Sequence, residues 1–156
     1  MTTKLRTRLI CVLGPLAVGL AAPSSIIFFL AVFVGQIDPL SGIGDILQRQ
    51  FAPGHNLFLI ALFGLIPFLA LSGVCFFASL RLPAKRLACV GIGGVVGILI
   101  LMVPGHISVW HPLYAGGHES STAVIAFAII PFFCLVTLVI GLVVGWAVSL
   151  LPIFRQ

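Results

Sequence analysis

The chain has 156 residues, of which 61% are hydrophobic and only 7% charged, with a net charge of +5. A water-soluble domain carries roughly 25% charged residues, so this composition excludes a soluble fold and makes lipid the solvent for most of the surface. The eight Lys and Arg are scattered and form no basic patch, which argues against nucleic-acid binding. The length allows a single domain.

The basic N-terminus opens on the first long apolar run, about residues 9–35. A bilayer core of about 30 Å takes roughly 20 apolar residues per helix, and this run suffices. Gly19, Leu20, Ala21 and Ala22 resemble a signal-peptide cleavage site. The apolar stretch continues well past them, through Ile26 to Val34, which favours a retained membrane helix. Pro15 and Pro23 lie inside it and each removes a backbone donor. A kink is expected at Pro23, where Ser24 and Ser25 either bond back to their own helix or line a polar pocket.

Residues 36–56 form the first loop. Ser41 is the expected cap of a short helix with Asp45 in its first turn. Ile43, Ile46, Leu47 and Phe51 then share one stripe, the pattern of a helix lying at the membrane interface. The second span is expected at 57–80, with Pro67 inside it, and the third at 87–103. Pro53-Gly54-His55 precedes the second span and Pro104-Gly105-His106 follows the third, so Pro-Gly marks a helix boundary at each place. The fourth span is expected at 121–151, introduced by a glycine turn and the capping residues Ser120, Ser121 and Thr122. None of the four spans contains Asp, Glu, Lys or Arg. The fold class is therefore all-α: a polytopic bundle of four transmembrane helices with a short interfacial helix in the first outer loop.

Charge gives the orientation. Lys4, Arg6, Arg8, Arg81, Lys85, Arg86 and Arg155 fall on one side of a four-span topology. Arg49 and all three acids, Asp38, Asp45 and Glu119, fall on the other. Positive loops stay cytoplasmic, so both termini are expected in the cytoplasm, with a bacterial inner (plasma) membrane as the location.

Helices in lipid associate by close backbone approach at small residues. Thr137, Gly141, Gly145 and Ser149 recur every four residues on the fourth helix. Cys89, Gly93 and Gly97 do so on the third, and Ala17, Ala21 and Ser25 on the first. These faces are expected to pack inside the bundle, with a partner's helix as the alternative.

Chemistry is sparse. No catalytic residue is expected. His55, His106, His111 and His118, with Glu119, all fall on the outer side and form a candidate zinc or copper site, since imidazole and carboxylate are ligands for both. Trp110 and Tyr114 in the same loop read as interface anchors, and Trp146 as one on the inner side. No Cys-x-x-Cys occurs and no cysteine lies in an outer loop, so thiol exchange is disfavoured. A carboxylate-driven antiporter is excluded because no acid lies within a span. The leading expectation is a non-enzymatic accessory, assembly or structural subunit that packs against lipid, other membrane subunits or its own copies. A metal-binding or redox-associated subunit comes second, and a small transporter of an uncharged or amphipathic solute third.

Overall fold

The computed structural model describes residues 3–49, 57–116 and 123–151. Five helices follow in order: α1 (Thr3–Phe33), α2 (Pro39–Arg49), α3 (Leu57–Ser79), α4 (Ala84–Tyr114) and α5 (Ala123–Ser149). Four of them, all but α2, are long and apolar enough to cross a membrane. In hydrocarbon only a structure that pairs its own amides is tolerated. That is why Pro15, Pro23, Pro67 and Pro131 are carried inside continuous helices rather than ending them. The chain is a small all-α integral membrane protein.

The pairs α1–α3, α3–α5, α5–α4 and α4–α1 close a ring, and α3 also touches α4 across it. Matched positions along the helices make α1–α3 and α4–α5 antiparallel and α1–α4 parallel, so α3 and α5 also run parallel. The Ser72 hydroxyl of α3 donates to the Val12 carbonyl of α1. Two apolar clusters fill the ring. Phe68, Leu71, Cys75, Ile98, Met102 and Leu138 belong to the first, which reaches towards the termini. Ile26, Ile27, Leu30, Ile60, Trp110 and Phe127 form the second, at the α2 end. The outer surface is a belt of exposed apolar side chains such as Leu20, Phe77, Ile100 and Ile140, the surface that lipid requires.

The chain leaves α1 through Gln36, a non-glycine residue at φ 51°. The Ile37 amide folds back to the Ala31 carbonyl at 3.0 Å. Asp38 then caps α2: its carboxylate accepts from the Leu40 amide at 3.1 Å and the Ser41 amide at 3.4 Å. The expected cap was Ser41. Asp38 takes that place because Pro39 suits the first helical position, where no amide donor is needed. Gly42 and Ile46 face the bundle, with Gly42 seated over Phe28 and Val32. Leu40 (80% exposed), Ile43 and Leu47 (65%) point away. The short amphipathic helix expected from the sequence is present; Phe51 lies outside the described residues.

Two expectations need correction. The third span does not end near Val103; α4 runs on through Pro104 and Pro112 to Tyr114. Continuing the helix places Met102, His106 and Trp110 on one buried face, and burying Trp110 offsets the amide donors the prolines remove. Nor does the small face of α1 pack inside. Ala17, Ala21 and Ser25 are exposed, and α1 instead approaches α3 at Gly19, where a Cβ would stand 3.0 Å from a Leu65 methyl. Three small residues at helical spacing cannot by themselves say which face is inward. Pro15, Gly19, Pro23, Ile26, Ile27 and Leu30 occupy the inward one.

Candidate functional site

The closest packing in the molecule is the antiparallel crossing of α4 and α5. A Cβ built on Gly93 would stand 2.8 Å from the Gly145 Cα, and one on Gly97 3.0 Å from the Gly141 Cα. The Thr137 and Cys89 carbonyls border the same crossing. Gly93, Gly97, Thr137, Gly141 and Gly145 therefore meet in one seam. Ser149 is buried at its end and donates to the Trp146 carbonyl at 2.6 Å. Along the membrane-facing side of the seam runs a groove of about 240 Å³. The glycines form its floor, and Val96, Ile100, Ile140 and Val144 form its exposed walls.

A second groove, of about 340 Å³, separates α1 from α4 nearer the termini. Cys11, Gly14 and Pro15 line one side and Ala88, Gly91 and Ile92 the other. Gly14 leaves it deep, since a Cβ there meets nothing nearer than an Ile10 methyl at 4.0 Å.

His106 and His111 lie on α4 and not in a loop. His106 is a helical residue of α4, 2% exposed, with its ring 5.5 Å from that of Phe127. Trp110, one turn on, is 2% exposed with its ring 5.2 Å from that of Phe127 as well, and is not an interface anchor. The His106 Nδ1 has no hydrogen-bond partner among the described residues. His111 is exposed on the same helix, about 140° around from His106 at 3.6 residues per turn. His55, His118 and Glu119 lie outside the described residues. Among the described residues no three His, Cys, Asp or Glu side chains gather. His106 is an ionisable side chain on a helix long and apolar enough to cross a membrane, where such groups tend to carry function. The sequence hid it because Pro104 read as a helix end.

At the same end the Tyr114 hydroxyl donates to the Asp45 carboxylate at 3.1 Å. The Tyr114 ring rests against Gly35, where a Cβ would stand 3.1 Å from it. This polar contact joins α2 to the end of α4 and was not foreseen, since Asp45 and Tyr114 are 69 residues apart. No family model, curated protein or solved structure matches the chain.

Proposed function

We propose that this small integral membrane protein is a non-enzymatic accessory or assembly subunit that works by helix and lipid packing. Its location is a bacterial inner membrane, with both termini cytoplasmic. The observation that supports the role is the groove along the α4–α5 seam. Backbone contact between the two helices makes its floor rigid. Branched side chains, Val96 and Ile100 facing Ile140 and Val144, make its walls. A floor of glycines between β-branched ridges suits one transmembrane helix of a partner subunit, because in lipid association rests on such close packing. Photo-crosslinkers placed at Ile100 and Ile140 in the native membrane test this. A specific adduct with another membrane protein supports the role. Adducts with a second copy assign the groove to self-assembly, and adducts with lipid alone overturn it.

A second reading is favoured by His106. A buried imidazole whose Nδ1 has no partner among the described residues suits a metal ligand, the chemistry of a zinc- or copper-binding or redox-associated subunit. Metal content of protein purified without a polyhistidine tag, compared with His106→Ala, decides it. Equal content in both removes His106 from any metal site.

A further inference from the structure

The groove between α1 and α4 has charge at one end only. Its apolar length, Ile10 to Val18 on α1 and Ala88 to Val96 on α4, is roughly 12 Å at 1.5 Å per residue. Below it the two helices carry cations in step with the lining. Arg8, Cys11 and Pro15 follow at i, i+3 and i+7 on α1; Lys85, Ala88 and Ile92 do the same on α4. Residues at this spacing share a helix face, so Arg8 and Lys85 stand one turn below the apolar lining on the faces that form it. Both are exposed. Asp38 and Asp45, the acids among the described residues, belong to the opposite end. No Asp or Glu among the described residues near this mouth offsets the two charges.

We infer that this groove is a binding site for one anionic glycerophospholipid. An acyl chain lies along Gly14 and Gly91, and the headgroup phosphate sits between Arg8 and Lys85. The apolar wall alone would accept any chain; the pair of cations selects the headgroup. Basic mouths between transmembrane helices are suited to anionic headgroups because each nearby Lys or Arg contributes attraction at the bilayer surface. Oxygens of the phosphate accept from the guanidinium of Arg8 in a fork, while Lys85 acts as a point charge. The volume falls in the range of small-molecule sites and takes the first stretch of one chain, the remainder lying in the bilayer. The site goes beyond the packing role and does not depend on it, since lipid retention is read on the purified chain alone.

Native mass spectrometry of the intact protein in mild detergent tests the site, titrating dioleoyl-phosphatidylglycerol and dioleoyl-phosphatidylcholine separately. Wild type is expected to retain one phosphatidylglycerol per chain, roughly tenfold more tightly than phosphatidylcholine. The double variant Arg8→Gln, Lys85→Gln is expected to lose that preference while still holding one lipid of either kind. Gly14→Leu, whose Cβ meets nothing nearer than an Ile10 methyl at 4.0 Å, is expected to lose both lipids at unchanged thermal stability. Equal retention of the two lipids by wild type overturns the inference. So does a preference that survives in the double variant, or lipid retention that survives Gly14→Leu.

Discussion

Gly97 and Gly141 are in backbone contact: a Cβ on either would come within about 3 Å of the other's Cα, at 3.0 Å from Gly97 and 2.9 Å from Gly141. Neither position has a side chain that could swing aside, so any larger residue must part the two helices.

Gly97→Ala and Gly141→Leu are therefore expected to destabilise the bundle, by about 1–3 kcal/mol for the small change and more for the large one. Gly73 is the control. A Cβ there meets nothing within 4 Å, and Ala is a better helix former than Gly by about 1 kcal/mol. Thermal unfolding in detergent should rank Gly73→Ala at or above wild type and both seam variants below it. Wild-type stability in Gly141→Leu would show that the seam opens without cost.

Ser72→Ala removes a hydroxyl that donates across to the Val12 carbonyl instead of to its own helix. Interhelical hydrogen bonds in membranes average about 0.6 kcal/mol, so a loss near that size is expected. A helical carbonyl also accepts from the amide four residues on, which keeps the penalty small. Thermal unfolding of Ser72→Ala beside Ser72→Thr, which keeps the hydroxyl, measures the contribution; wild-type stability in Ser72→Ala rejects the bond as a stabilising contact.

Tyr114→Phe should loosen α2 without unfolding the bundle. The lost bond to Asp45 is expected to cost about 1 kcal/mol. Hydrogen exchange over residues 39–49 should quicken while exchange in α3 and α5 stays as in wild type. Uniform quickening throughout would mean that the contact stabilises the whole bundle instead of α2 alone.

His106→Leu puts an apolar side chain of similar bulk where an imidazole has a ring nitrogen without a partner among the described residues. Replacing an unsatisfied buried polar group by an apolar one is nearly neutral or stabilising. The melting temperature is expected to hold or rise. A clear fall would mean that the imidazole has a partner in the membrane, and would direct attention to a bound ion.

The four spans and the amphipathic α2 were legible because hydrocarbon thickness and helical periodicity act on long, strongly apolar stretches. The α4–α5 seam residues were legible because glycine every four residues, on two neighbouring helices, leaves few other uses. The end of α4 was not. Pro104 removes one amide donor, and local rules read that as a stop; burial of Trp110 and His106 against Phe127, visible only in three dimensions, keeps the helix going. The inward face of α1 was missed because Ala17, Ala21 and Ser25 lack the bulk that would reveal which way they point. Asp45–Tyr114 joins elements far apart in sequence, so no local pattern announces it.

The length of α4 has a consequence for the membrane itself. At 31 residues the helix is about 46 Å long, against a hydrocarbon layer of about 30 Å. A typical tilt of about 20° takes up only a few ångströms of the excess. With Lys85 and Arg86 held at one headgroup layer, the hydrocarbon ends near His106, and the turns bearing Trp110 and Tyr114 rise through the opposite headgroups. The Asp45–Tyr114 bond ties α2 to that height, so α2 floats at a depth set by α4. The protein is in effect a ruler: a thicker bilayer would draw this polar joint into acyl chains, a thinner one would force α4 to lean, and each mismatch costs energy that rises with every ångström.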